Sequence, residues 1–123
     1  MLLGDEVIAA IELRVPPPGA RVMWRKVGTR LAQAISKVAL ASVIELENGA
    51  ITRARFGMAS VAAVTHSLQG IARTVVGARP GELGSDALDA LIDREIKPID
   101  DVRSTGAYRL HVAKALVRRA LNG

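Results

Sequence analysis

The sequence has no cysteine, only two histidines and three aromatic residues (Trp24, Phe56 and Tyr108). Without cysteine there is no disulfide framework, no Cys-ligated zinc and no Cys-held iron–sulfur cluster within the chain. His66 and His111 lie too far apart for an i,i+4 metal pair. They read instead as an ordinary residue at a helix start and one on a basic helix face. The three aromatics are scattered and make no stacking platform of the kind single-stranded nucleic-acid readers use. No apolar run approaches the roughly 18–20 residues of a membrane span. The opening Met1-Leu2-Leu3-Gly4-Asp5 has no basic stretch and does not read as a signal peptide. Gly57, Gly70, Gly77, Gly81 and Gly84 match neither a dinucleotide-binding nor a P-loop pattern. Scattered Ser, His and Asp residues form no recognisable triad.

What is present is an aliphatic, basic chain. Half of the 123 residues are hydrophobic, and 17 Lys+Arg against 12 Asp+Glu leave a formal charge of +5. That length and apolar content suit one compact domain and exclude a disordered chain. A positive balance admits nucleic acid, a membrane surface or an acidic protein partner. With no nucleic-acid motif present, solvated faces and a protein interface are the favoured reading, and nucleic acid and membrane are not expected partners.

Along the chain, Val7, Ala9, Ile11, Leu13 and Val15 alternate with Glu12 and Arg14, which predicts a strand over Glu6–Val15 ending at Pro16-Pro17-Pro18-Gly19. Arg21–Val27 is a second extended piece. Gly28-Thr29-Arg30 breaks it, and Leu31–Ser36 is a loop or single turn. Lys37–Leu46 carries apolar residues on both parities, predicting a strand buried on both faces. Asn48-Gly49 predicts a type I′ turn into a returning strand over Ile51–Met58, with Ala54, Phe56 and Met58 facing one way and Arg53 and Arg55 the other.

Beyond Met58 the period changes. Ser67–Val76 spaces Leu68, Ile71, Ala72 and Val75 helically, with Gly77 at C′. After the Ala78–Gly84 loop, Ser85 or Asp86 is expected to cap a helix bearing Leu88, Leu91, Ile92 and Ile96, stopped by Pro98. Ser104 is expected to cap a last helix to about Leu121, with Ala107, Leu110, Ala113, Val117, Ala120 and Leu121 inward and His111, Arg118 and Arg119 outward. Strands followed by helices predict an α+β fold, an antiparallel sheet of about three to four strands covered on one face by about three helices.

The chain has no self-sufficient enzyme site. Asp100-Asp101 reads as a helix cap or as a partner for Arg103 or Arg109 rather than as a general acid/base pair. Tyr108 reads as a packing residue with a bonded hydroxyl. The most unusual surface feature is Arg25-Lys26-Val27-Gly28-Thr29-Arg30 followed by Gln33, cations flanking a glycine in an irregular segment. Such a loop is solvated by default, but it can present positive charge and amide donors to an electron-rich cofactor.

The stretch RKVGTRLAQAISKVALASVIELENGAITRARFGM (Arg25 to Met58) resembles the C-terminal domain of the FAD-binding subunit of molybdenum hydroxylases, the xanthine dehydrogenase, carbon monoxide dehydrogenase and aldehyde oxidase relatives. KPIDDVRSTGAYRLHVAKALVRRAL (Lys97 to Leu121) matches the family's Pro, acidic pair, small residue and Tyr-Arg ahead of a basic-apolar helix. The approach Leu3-Gly4-Asp5-Glu6-Val7-Ile8 is similar to the entry of that domain, so the resemblance covers nearly the whole chain. One departure is Gly70, Ala72 and Val75, where the family usually carries a Glu and a Leu before the Gly. An interior Gly70 would cost about 1 kcal/mol relative to Ala.

The resemblance implies a module that completes a flavin pocket and docks the subunit, while electrons pass from molybdenum through 2Fe–2S clusters to FAD and an acceptor. It implies that FAD is held mainly by an N-terminal flavin-binding domain or subunit absent from residues 1–123, and that molybdopterin and the clusters belong to partner subunits. Lys26 and Arg30 are the expected cofactor-side cations. Gln33 stands where some relatives place an acid facing the ring, so that charge is lost here. The expected location is cytoplasmic, with self-association an option for the isolated chain. The alternative is a stand-alone assembly domain without redox work, and a nucleic-acid binder is a distant third.

Overall fold

A computed structural model describes residues 3–31 and 33–123. Four strands, β1 (Arg21–Val27), β2 (Val38–Glu47), β3 (Ala50–Ala59) and β4 (His66–Ser67), pair antiparallel in the order β1-β2-β3-β4. Three helices follow: α1 (Gln69–Thr74), α2 (Ser85–Glu95) and α3 (Gly106–Asn122). α3 packs on β2, α1 packs on β3, and α2 lies against both helices. The fold is the expected α+β arrangement.

The β2–β3 hairpin turns at Asn48 (φ 51°) and Gly49 (φ 81°), the pair of positive φ angles that a type I′ turn requires. Its register shifts between Glu45 and Leu46. Leu46 opposes Ile51 while Glu45 opposes Arg53, leaving Thr52 as an extra residue whose hydroxyl donates to the Glu45 carbonyl at 3.2 Å. This bulge explains the parity of β3. Without it, Ile51 and Ala54 would face opposite sides of the sheet; with it, both are buried, along with Phe56 and Met58.

The core lies between one sheet face and the helices. Val38, Leu40 and Ile44 of β2 and Ile51, Phe56 and Met58 of β3 meet Leu68, Ile71, Val75, Leu88, Ile92, Ile96, Ala113, Val117 and Leu121. Side chains of this kind contribute about 1.5–3 kcal/mol each on full burial. The density comes from aliphatic interdigitation, since Phe56 is the one fully buried aromatic among the described residues.

Several expectations are corrected. Glu6–Val15 is not a strand: Val7 is 85% exposed and Leu13 84%. Ala20 N–H donates to the Pro17 carbonyl at 3.1 Å, and Gly19 has φ 84°, so Pro17–Ala20 closes a turn with Pro18 and a positive-φ Gly at its centre. That pattern is type II, whose twist splays flanking strands instead of pairing them. The fourth strand is β4, which includes His66, so this histidine pairs opposite Met58 and does not start a helix. β2 is buried on one face, not two. Ala39, Ala41 and Val43 point to the outer side, away from the helices, where Leu13 and Arg14 approach Ala41 and Val43.

The helix ends also shift. α1 is shorter than expected because Ser67 belongs to β4, and Gly77, at φ 89°, lies two residues past the C-cap Val75. Gly84 is the N-cap of α2, with no side-chain cap from Ser85 or Asp86. Thr105, not Ser104, caps α3 by accepting from the Tyr108 N–H at 3.2 Å. On α3, Ala107 is exposed, whereas Arg109 and Leu116 join the buried face.

Candidate functional site

The site is the irregular connection between β1 and β2, together with the elements that hold it. Lys37 N–H donates to the Val27 carbonyl at 2.8 Å and closes the loop at its neck. Gly28 has to be glycine for a steric reason. A Cβ there would stand 2.9 Å from the Ala34 Cβ and 3.4 Å from the Ile35 carbonyl oxygen, so the two arms of the loop touch at this point. Within the loop, Arg30 Nη2 donates to the Gln33 carbonyl at 2.7 Å, and Gln33 adopts φ 49°. The loop is therefore a folded object with internal bonds.

The three sequence-predicted residues fall in one neighbourhood but not in one cluster. Lys26 is exposed on β1, opposite Ala39. It lines a shallow depression with Trp24, Val27, Gly28, Thr29, Arg30 and Leu31. Arg30 shares that depression, whereas Gln33 is tied to Arg30 through its main chain and lies outside the lining. Trp24 was missed by sequence reasoning. It is 67% exposed, opposes the small Ala41, and shares the outer sheet face with Lys26 because the two stand at i and i+2 along the strand. A lone tryptophan in an edge strand, two positions before a lysine, was the available signal.

The Lys97–Leu121 segment does its work from the inside. Asp100 Oδ1 accepts from the Gly106 N–H at 2.7 Å at the start of α3. Asp101 Oδ1 accepts from the backbone N–H groups of Arg103 (2.8 Å) and Ser104 (3.1 Å), and its Oδ2 accepts from Arg103 Nη2 at 2.6 Å. The Arg103 guanidinium holds the Asp101 carboxyl well below the usual carboxylate range. Desolvation opposes this, while the Arg103 amide and Arg109 reinforce it. Arg109 is 1% exposed. Its Nη2 donates to Asp101 Oδ1 at 2.6 Å, and its Nη1 donates to the carbonyls of Lys37 (2.7 Å) and Ser60. Its Nε is buried with no partner among the described residues. Asp100-Asp101 is thus a cap and an Arg partner, as the sequence suggested. Tyr108 is 42% exposed, with Lys37 Nζ 5.1 Å from its ring centroid, so its face receives a cation and it is not a core packing residue.

The same geometry tests the chain against the two ends of a flavin dinucleotide. A pyrophosphate needs unspent N–H donors at a helix start or glycine loop. At α1, Glu95 occupies them, its Oε1 accepting from Gly70 N–H (2.7 Å) and its Oε2 from Ile71 N–H (2.9 Å). This also corrects the view of Gly70 as an interior helix glycine: it lies in the first turn, against that carboxylate. At α3, Asp100 and Thr105 take the donors. At α2, Asp86 puts negative charge in the first turn. The residues present do not fit a pyrophosphate. Lys26, Arg30 and Trp24 instead line one shallow depression, two cations beside a planar indole.

Among the described residues no helix is long and apolar enough to cross a membrane, and no three His, Asp or Glu residues are grouped to hold a metal ion.

Residues 24–123 match the family described as the CO dehydrogenase flavoprotein C-terminal domain. The chain is similar to the carbon monoxide dehydrogenase medium chain of Afipia carboxidovorans, 26% identical over 116 residues that make up 94% of this chain and 40% of that one. It is similar in structure to the Cu,Mo-CO dehydrogenase in its cyanide-inactivated form (TM-score 0.75, 26% identity, 85% of this chain and 36% of that one). Its likeness to quinoline 2-oxidoreductase from Pseudomonas putida 86 is one of fold (TM-score 0.68, 18% identity, 87% and 37% covered). The chain spans well under half the length of these relatives. With the strand order, the helix layer and the matched segment all in agreement, the chain belongs to the CO dehydrogenase flavoprotein C-terminal domain family.

Proposed function

We propose that this chain is the module that closes the ring side of the flavin pocket in the FAD subunit of a cytoplasmic molybdenum hydroxylase of the carbon monoxide dehydrogenase and xanthine dehydrogenase type. The observation that carries the reading is the internally bonded loop between β1 and β2, which presents Lys26 and Arg30 beside Trp24 within the segment matched to the flavoprotein family. When bound, FAD supplies the redox chemistry, accepting electrons that originate at molybdenum and pass through 2Fe–2S clusters. In this reading the dinucleotide is gripped by a separate flavin-binding domain, and the clusters and molybdopterin reside in partner subunits.

The chain's own residues act by shape and charge. Lys26 has its backbone set in β1 opposite Ala39, and its exposed side chain lines the depression. A cation close to a group that gains negative charge on reduction stabilises the reduced form and raises its potential. Arg30 adds to this from the loop, and the neutral side chain of Gln33 leaves that positive field undiminished.

The test is the midpoint potential of FAD in the assembled flavoprotein. Lys26→Ala is expected to lower it, and an unchanged potential removes Lys26 from the site. The isolated chain is expected to bind FAD weakly or not at all. Tight binding would contradict the assignment of the pyrophosphate to another domain and favour a self-sufficient flavin site.

A further inference from the structure

Arg109 is a fully buried guanidinium 72 positions beyond the loop residue it holds, and no chemistry has been assigned to it. Burying such a cation is costly unless its donors are met. Here the acceptors come from three separate places. They are the Lys37 carbonyl at the loop's exit, the Ser60 carbonyl after β3, and the Asp101 carboxylate before α3. The Lys37 backbone is held at both of its polar groups, because its N–H closes the loop on Val27 while its carbonyl is tied to Arg109. Ser60 sits at φ 65°, which turns the chain sharply where its carbonyl meets the guanidinium. Asp101 is itself pinned by the two backbone N–H groups of Arg103 and Ser104, so the anchor cannot drift.

We propose that Arg109 is the positioning residue of the β1–β2 loop: its fork transmits the fixed location of the α3 start to the loop that carries Arg30 and adjoins Lys26. Charge alone does not suffice. A planar fork can serve two carbonyls and a carboxylate at set angles, and an ammonium group cannot reproduce that spread. The functional half of the proposal rests on the ring-side reading given above, and the structural half does not.

The experiment has two arms. In the isolated chain, Arg109→Lys keeps the charge and removes the fork. Amide hydrogen exchange at Lys37 is expected to accelerate about tenfold more than at the central β2–β3 amides, the consequence of losing one hydrogen bond to a charged group. If Lys37 and the central hairpin change by the same factor, Arg109 is only a contributor to global stability and the proposal is overturned. Should Arg109→Lys fail to fold, Asp101→Asn is measured in the same way. It leaves Arg109 in place but loosens its anchor, and it is expected to give the same selective acceleration to a smaller degree; a uniform change again overturns the proposal.

In the assembled flavoprotein, Arg109→Lys is expected to shift the FAD midpoint potential in the same direction as Lys26→Ala. A selective exchange effect with an unmoved potential upholds Arg109 as the loop's positioning residue and defeats the flavin-facing reading of the loop. A moved potential without the selective exchange effect defeats the positioning role instead.

Discussion

Replacing Gly106 with alanine sets two well-known effects against each other. Gly106 is the first residue of α3, and within a helix alanine is better than glycine by about 0.8–1 kcal/mol. On propensity alone, Gly106→Ala stabilises. The surroundings decide otherwise. A Cβ on Gly106 would lie 2.6 Å from the Pro98 carbonyl oxygen and 3.4 Å from its carbonyl carbon, closer to that oxygen than side chains come in folded proteins. The obstructing atom is backbone, next to a proline ring, and cannot rotate away as a side-chain end could. Relief requires moving either the Pro98–Asp101 segment or the start of α3. Either motion strains the 2.7 Å bond from Gly106 N–H to Asp100 Oδ1. Overpacking of this kind costs about 1–3 kcal/mol, and loss of a helix-start cap about 1 kcal/mol more. Set against a propensity gain of at most about 1 kcal/mol, the net expectation is a destabilisation of about 2 kcal/mol. For a chain of this length that corresponds to a fall in Tm of roughly 6–12 °C. Urea or thermal denaturation followed by far-UV circular dichroism measures it. A Tm equal to or above that of the parent would refute the reasoning, because it would mean that the Pro98 carbonyl gives way without cost.

Three further outcomes are expected. Gly84→Ser should stabilise by about 0.5–1 kcal/mol in the same assay, since Gly84 caps α2 with a negative φ, has open space where a Cβ would go, and lacks the side-chain acceptor that serine supplies; a loss of stability would contradict this account of an open cap position. Glu95→Ala removes the acceptor from two N–H groups of α1 and should cost about 1 kcal/mol, read as a lower urea midpoint with an unchanged m-value; an unchanged midpoint would mean that water serves those donors equally well. Acid titration of stability tests Asp101. Its folded-state pKa is depressed, so its contribution is present above the unfolded value of about 3.9 and fades as pH falls below it. Asp101→Asn should therefore be less stable than the parent at neutral pH, with the gap closing below about pH 4, and a gap independent of pH would contradict the ion-pair account.

The sequence by itself determined the elements whose cause is local. Asn48-Gly49 dictates the hairpin because few other dipeptides adopt two positive φ angles cheaply. The 3.6-residue spacing of Leu88, Leu91, Ile92 and Ile96 dictates α2, and the Asp-Asp, Tyr-Arg segment before and within α3 identified the family. The α+β class follows from the order of these elements, and Lys26 and Arg30 were visible as cations around a breaker.

What only the tertiary structure decided has a common reason: each feature depends on what lies opposite in space. The Glu6–Val15 alternation carries strand potential, but beyond the type II turn it forms no ladder with β1, which pairs with β2 alone. The two-sided apolar pattern of β2 does not reveal that only one of its faces receives helices. Arg109 reads as one more cation in a basic helix, and its burial follows from two carbonyls and a carboxylate that converge from positions 37, 60 and 101. Helical spacing sets which residues share a face, but it is the arrival of unpaired acceptors from distant segments that makes a charged residue belong inside.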